Sequence, residues 1–95
     1  MDKPKITRRM KWIVKQLREH SDAVITHKRD AFLEKSYYFL EWNIKNGAPY
    51  ECHEVTNKLR GEMTALGLIA VVTERPVHTK GGEFVTTERD YGLPK

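Results

Sequence analysis

The sequence predicts an α+β domain in which three helices are followed by a small antiparallel β-hairpin. Apolar residues recur at intervals of three or four in the segments 6–17, 33–44 and 55–66, which is the spacing of one buried helical face. Two runs rich in apolar and β-branched residues, 68–73 and 84–87, then flank a polar loop. Helical stripes followed by two short strands indicate this class.

One hydrophobic core fits the size and composition of the chain. Its 95 residues are too few for two cores, and 39% of them are hydrophobic, so we expect a single domain over 1–95 with flexible ends at 1–4 and 92–95. The 32% of charged residues and the negative mean hydropathy indicate a chain without a membrane span. The N-terminus lacks the apolar stretch of a secretory signal, and the single cysteine, Cys52, cannot form an internal disulfide. We therefore expect a cytoplasmic protein.

The first predicted helix, roughly 5–20, is amphipathic. Its apolar face consists of Ile6, Met10, Ile13, Val14 and Leu17. A second face carries the basic residues Arg8, Lys11, Lys15 and Arg18, with Trp12 beside them. Packing against the rest of the domain is favoured over a membrane surface, because the apolar stripe is short.

Essentially all of the excess positive charge lies in the first fifth of the chain, which contains this helix. The formal net charge is +4, and residues 1–20 hold seven lysines and arginines against two acidic residues. Such an asymmetry favours an anionic partner for this end of the chain. The alternative is a solvated helix face that only aids solubility.

The middle of the chain predicts a short strand and a second helix. Val24, Ile25 and Thr26 are β-branched and favour a strand. Asp30 can cap the second helix, and Asn46, Gly47 and Pro49 end it. Five aromatic residues between 32 and 42 place this helix at the centre of the core, with a base-stacking platform as the sharper alternative.

The third helix is predicted from about 49 to 66 and leads into the hairpin. Its core positions are Val55, Leu59, Met63 and Leu66, Pro49 suits its first turn, and Gly67 ends it. The strands 68–73 and 84–87 are joined by "ERPVHTKGG", which is too long for a two-residue turn.

This order of elements resembles the winged helix-turn-helix superfamily. The residues that carry the resemblance are "EVTNKLRGEMTALGLIAVVTERPVHTKGGEF", in which Leu59, Met63 and Leu66 precede the step Gly67, Leu68, Ile69, and Gly81 and Gly82 follow in the loop. The resemblance implies that the third helix enters the DNA major groove and that the loop between the last strands forms the wing.

Three groups of residues are candidate contacts with double-stranded DNA. The outer side of the third helix offers His53, Thr56, Asn57, Lys58 and Arg60, where Asn57 could pair with adenine and Arg60 with guanine. The loop offers Arg75, His78 and Lys80 to the phosphate backbone. The first helix offers Arg8, Arg9, Lys11 and Lys15, which would position the domain without reading sequence. Each group also suits an ordinary solvent-facing surface.

The residue pattern does not predict an enzyme, a metal site or a cofactor. No pair of His or Cys residues has the usual zinc spacing, and no phosphate-binding glycine loop or catalytic triad can be argued from spacing. The expected function is therefore sequence-specific double-stranded DNA binding by a small transcriptional regulator, which could act as a homodimer. The rival is a protein-interaction adaptor or inhibitor module, favoured by Glu51, Glu54 and Glu62 in the third helix.

Overall fold

Two helices and five strands make up the part of the chain that the structure describes. In this computed structural model the described residues are 5–30, 32–42 and 51–94. In chain order the elements are α1 (Arg8–Glu19), β1 (Val24–Asp30), β2 (Lys35–Trp42), β3 (Glu51–Val55), α2 (Asn57–Ala65), β4 (Ala70–His78) and β5 (Phe84–Gly92).

The five strands form one antiparallel sheet in the order β3-β2-β1-β5-β4. Both helices pack on the same face of this sheet. Trp12 of α1 contacts the ring of Trp42, and Arg60 of α2 lies over the ring of Tyr38. Trp42 and Tyr38 are four residues apart on β2 and therefore point to the same side. The domain has one helical layer on one sheet.

The predicted winged helix-turn-helix fold is wrong. The described residues contain two helices, not three, and the β-structure is a five-stranded sheet, not a small hairpin wing. The resemblance rested on element order and on a helix that ends in Gly67 before a hairpin. That local pattern is present here, but the hairpin β4–β5 belongs to a larger sheet that also contains β1, β2 and β3.

The predicted second helix is the strand β2. Its burial alternates from Tyr37 to Leu40, with Tyr38 and Leu40 buried and Tyr37 and Phe39 half-buried; Glu41 and Trp42 at its end are both buried. Aromatic residues favour a pleated, half-buried surface, and here this preference outweighs the helical spacing of 33, 37, 40 and 44. Asp30 caps no helix; its Oδ1 accepts from the backbone N–H groups of Phe32 and Leu33, both at 3.0 Å, and so fixes the β1–β2 turn. The predicted stop at Asn46, Gly47 and Pro49 lies outside the described residues.

The predicted third helix is shorter at its N-terminal end than expected. Residues 51–55 form β3, which pairs with β2, and Thr56 is the N-cap of α2. The Thr56 hydroxyl accepts from the backbone N–H of Leu59 at 3.1 Å. Gly67 ends the helix region as predicted, since its φ of 73° suits a residue without a Cβ. The predicted start at Pro49 lies outside the described residues.

Three other predicted elements are confirmed. The helix α1 begins at Arg8 after its N-cap Thr7 and buries Met10, Ile13 and Leu17. The strand predicted at 24–26 extends to Asp30. The C-terminal hairpin is also present, but β4 and β5 each span nine residues, longer than predicted. Gly92 belongs to β5 and Leu93 packs against the core, whereas residues 1–4 lie outside the described part.

One apolar cluster joins the helices to the sheet. Its buried members are Met10, Ile13, Leu17, Ile25, Tyr38, Leu40, Trp42, Val55, Met63, Ile69 and Tyr91. Met10, Ile13 and Leu17 come from α1, Met63 comes from α2, and Ile69 lies in the segment after α2. Fully burying side chains of this size contributes about 1.5 to 3 kcal/mol each.

The seam between β1 and β5 joins the two parts of the sheet. Its backbone ladder contains one residue pair, Ile25 with Tyr91, within the part of the chain that the structure describes. Two side chains supply the next bonds. The backbone N–H of His27 donates to Oδ1 of Asp90 at 3.1 Å, and the backbone N–H of Arg89 donates to Nδ1 of His27 at 3.2 Å.

Asp90 also binds β4 to this seam. Both of its oxygens accept from the guanidinium of Arg75, at 2.5 and 2.9 Å, and Asp90 is buried. A bidentate pair of this kind is stronger than a neutral hydrogen bond. One carboxylate therefore connects β1, β5 and β4.

The strand β4 forms one edge of the sheet. Val71 and Val72 are exposed on it, and Pro76 lies within it opposite Thr87 of β5. Because proline has no backbone N–H, it is found in sheets mainly on edge strands.

We expect Asp90→Ala to lower the free energy of unfolding by about 2 to 3 kcal/mol, because it leaves the buried backbone N–H of His27 without its acceptor and removes the bidentate partner of the half-exposed Arg75 guanidinium. Asp90→Asn keeps an acceptor and should cost about 1 to 2 kcal/mol. The control is Glu88→Gln, since Glu88 contacts the same Arg75 at 3.5 Å but is less buried, and it should cost less than about 1 kcal/mol. Urea unfolding at neutral pH measures the free energy of unfolding of the three variants and of the wild type. Equal losses for Asp90→Ala and Glu88→Gln would contradict the role of Asp90.

Candidate nucleic-acid interface

The outer face of α1 carries a row of exposed cations. Arg8, Lys11, Lys15 and Arg18 follow one another at intervals of three and four, so they lie on one side of the helix. At 1.5 Å per residue the row is about 15 Å long. The only acidic residue of α1 is Glu19, 4.0 Å from Nζ of Lys15 at an exposed position. Arg8, Lys11 and Arg18 have no ion pair with another described residue.

Arg9 has a different role from its neighbours on α1. Its guanidinium lies 4.7 Å from the centre of the Trp12 ring, and one of its N–H groups donates to the backbone carbonyl of Glu54 at 3.3 Å. Arg9 is exposed, but these contacts hold it against β3. It ties the helix to the sheet.

An aromatic cluster fixes α1 on the sheet. The ring of Trp42 is stacked with His20 at 4.8 Å and with His53 at 5.3 Å, and Trp12 meets His53 edge-on at 5.0 Å. Offset-stacked and edge-to-face pairs of this kind contribute about 0.5 to 1.5 kcal/mol beyond burial. These contacts hold α1, the helix that carries the cation row, against the sheet.

Most of the residues that the sequence suggested for base reading make contacts within the domain instead. His53 is on β3 inside the aromatic cluster, and Thr56 caps α2. The Asn57 amide donates to the backbone carbonyl of Ser36 at 3.1 Å, and Arg60 faces the sheet. Of this group, Lys58 alone is exposed without such a contact among the described residues.

The predicted wing residues do not form a cationic loop. Arg75 lies in the middle of β4 and pairs with Asp90 and Glu88, so its charge is neutralised. His78 ends β4, with its ring 5.9 Å from that of Phe84. Lys80 is exposed in the turn 79–83, where the backbone N–H of Thr79 donates to the carbonyl of Glu83 at 2.8 Å. Lys80 is the one predicted wing residue that offers a solvated cation.

A buried polar cluster lies under α2, and the sequence pattern did not indicate it. His27 stacks on Tyr38 at 4.7 Å, and the guanidinium of Arg60 lies 4.6 Å from the Tyr38 ring and 5.3 Å from the Tyr91 ring. Arg60 also donates to the Tyr91 hydroxyl at 3.1 Å. The four residues come from four elements, so only the strand register brings them together.

Burial and charge shift the pKa values of this region in definite directions. Burial lowers the pKa of His27. Arg75 and Arg60 lower it as well, and the opposing effects of Glu88 and Asp90 do not cancel the effect of burial. Burial raises the pKa of Tyr38. For Asp90, burial acts to raise the pKa, but the hydrogen bonds from Arg75 and from the His27 backbone outweigh it and hold the pKa below its usual value.

No group of three or more His, Cys, Asp or Glu among the described residues could hold a metal ion. Within the same ranges, no helix combines the length and the apolar character needed to cross a membrane. The absence of an enzymatic activity and of a cofactor remains a prediction from the sequence.

We expect the free energy of unfolding to fall as the pH is lowered from about 7 to about 5. In this window the unfolded chain protonates His27, whereas the folded chain, with the lowered pKa, resists protonation, so protons favour the unfolded state. One such group contributes a slope of up to about 1.4 kcal/mol per pH unit. Asp90 adds its own loss only at lower pH, because its folded pKa is depressed below that of a free carboxyl.

Urea unfolding at a series of pH values checks this slope. His27→Gln should flatten it, whereas His78→Gln, which changes an exposed histidine at the end of β4, should leave it unchanged. The same slope in wild type and His27→Gln would assign the effect to other groups.

Comparison with known proteins finds no family model that matches the chain, no matching curated protein and no matching solved structure.

Proposed function

We propose that this chain binds double-stranded DNA through the backbone phosphates, with the outer face of α1 as the contact surface. The observation that carries the proposal is the row Arg8, Lys11, Lys15 and Arg18, which is exposed on one side of a helix with a single acidic neighbour. Lysine and arginine side chains that neutralise phosphates supply most of the affinity of sequence-independent binding.

The rigidity of α1 supports this proposal. A loose cationic tail would lose conformational entropy on binding, whereas α1 is held by its apolar face, by Trp12 and by Arg9. The helix fixes the backbone positions from which the four side chains of the row extend. They can meet several phosphates of one groove wall without a rearrangement of the backbone.

Contacts to phosphates alone do not read sequence. The side chains that the sequence suggested for base reading, His53, Asn57 and Arg60, are engaged in the fold. The proposal is therefore limited to binding that is largely independent of sequence. A role in transcriptional regulation would need a specificity that these residues do not offer in their present positions.

A protein partner is the second candidate, and one observation favours it. Phe32 is 94% exposed and Leu33 is 53% exposed in a β1–β2 turn that Asp30 holds fixed. An exposed apolar pair whose two backbone N–H groups are bound by Asp30 suits insertion into an apolar pocket of another protein. Retention of one stoichiometric partner by the wild type after nuclease treatment, and its loss in Phe32→Ser, would favour this candidate.

We expect a variant with Gln at 8, 11, 15 and 18 to bind random duplex DNA much more weakly than wild type. Each phosphate contact contributes a slope of about −0.9 to the dependence of log affinity on log salt, so the loss of four contacts should reduce the slope by roughly 3 to 4. Fluorescence anisotropy over a salt series measures both quantities, and a circular dichroism spectrum checks that the variant is folded.

The matched control is Lys58→Gln with Lys80→Gln, which removes exposed cations from α2 and from the β4–β5 turn. It should change the slope little. Absence of binding by wild type at low ionic strength, or equal slopes for wild type and the α1 variant, would contradict the proposal. A duplex RNA of the same length tests whether the surface discriminates between the two duplexes.

A further inference from the structure

Two exposed apolar pairs lie at the same end of the sheet. Phe32 and Leu33 are in the β1–β2 turn, and Phe84 and Val85 begin β5 directly after the β4–β5 turn. Because β1 and β5 are antiparallel, the C-terminal end of β1 and the N-terminal end of β5 lie at the same end of the sheet. Both hairpin turns are therefore at this end, which we call the tip end.

The two turns extend a similar distance from the seam between β1 and β5. Phe32 and Phe84 each lie seven positions along the chain from the paired residues, Ile25 and Tyr91 (25 to 32 and 84 to 91). At about 3.3 Å per residue, each turn reaches roughly 20 Å beyond that pair. One surface placed against the tip end can thus contact both turns.

The apolar side chains of the tip end are more exposed than is usual for their type. Phe32 is 94% exposed and Phe84 is 63% exposed, and Leu33 and Val85 are exposed beside them. Since an aromatic side chain has about 150 to 250 Å² of surface, the four side chains together present roughly 400 Å² per copy. Exposed apolar surface of this extent often marks an interaction site.

The charges of the tip end are balanced. Each turn carries one exposed carboxylate and one exposed amine: Glu34 and Lys35 follow Leu33, and Lys80 and Glu83 precede Phe84. None of these four charged residues forms an ion pair with another described residue. A surface without excess positive charge does not attract a polyanion, whereas it is complementary to a surface with the same alternation of charge.

We propose that the tip end binds the tip end of a second copy of this chain. In a two-fold arrangement the same surface of both copies is buried, so the apolar pairs face each other and carboxylates of one copy meet amines of the other. Two copies would bury roughly 800 Å² of apolar surface, which with a polar rim reaches the size of a weak, reversible interface, about 1,000 Å². The cations of α1 are not part of this surface, and the association does not depend on DNA binding.

Sedimentation velocity of the intact chain tests this association without DNA, from about 1 μM to 1 mM protein. We expect a reversible monomer–dimer equilibrium with a dissociation constant of about 10 to 100 μM. Phe32→Ser and Phe84→Ser should each raise the dissociation constant about tenfold or more, and both side chains are exposed, so the variants should stay folded. The matched control is Val71→Thr with Val72→Thr, exposed valines of β4 at the level of Tyr91, which should change it less than about twofold.

A charge exchange tests the arrangement of the two copies. Glu34→Lys with Glu83→Lys gives an all-basic tip end, and Lys35→Glu with Lys80→Glu gives an all-acidic one. Each variant alone should be monomeric at about 100 μM, and an equimolar mixture of the two should form heterodimers.

The proposal is overturned if the wild type stays monomeric at every concentration, or if the valine control weakens the dimer as much as the phenylalanine variants. An unchanged dissociation constant in Phe84→Ser would remove the second turn from the surface and would contradict the proposal as well. Wild type that stays monomeric but floats with phosphatidylcholine vesicles would assign the tip end to a lipid surface instead.

Discussion

The fold depends on how β1 and β5 are joined. These strands are the centre of the sheet, yet their backbone ladder has one residue pair within the described ranges, Ile25 with Tyr91. The connection is completed by side chains: Asp90 accepts from the His27 backbone, and His27 accepts from the Arg89 backbone. Two polar residues therefore hold the meander of β1, β2 and β3 to the β4–β5 hairpin. Removal of Asp90 leaves a buried backbone N–H unsatisfied, and removal of His27 leaves a part-buried one, which is costly at the middle of a sheet.

The cationic side chains of the two helices point in different directions. The cations of α1 point away from the sheet, because its opposite face is apolar and is anchored by Trp12. The principal cation of α2, Arg60, points inward over Tyr38 and Tyr91. The first set is accessible from solvent, whereas Arg60 holds α2 on the sheet.

The sequence predicted the elements whose patterns were local. The apolar stripe of α1, the β-branched start of β1 and the exit at Gly67 into a hairpin each depend on adjacent residues, and all three are confirmed. The sequence of β2 was ambiguous, because the spacing of Leu33, Tyr37 and Leu40 fits a helix, whereas that of Tyr38, Leu40 and Trp42 fits a strand. Pairing with β1 and β3, which depends on distant residues, makes this segment a strand. The exposed row on α1 followed from the same local stripe. The cluster of His27, Arg60 and Tyr91 could not be predicted, because it depends on strand register.

The edge position of β4 has a consequence for the behaviour of this protein at high concentration. A long open strand can template the addition of further strands from other copies, which is how ordered aggregates grow. Pro76 interrupts that template, because a neighbouring strand finds no N–H group at this position of the edge. Glu74 and Arg75 beside it add charges of both signs along the same strand. Replacement of Pro76 would supply the missing N–H group and make this edge a better template for fibre growth, with no change to the buried core.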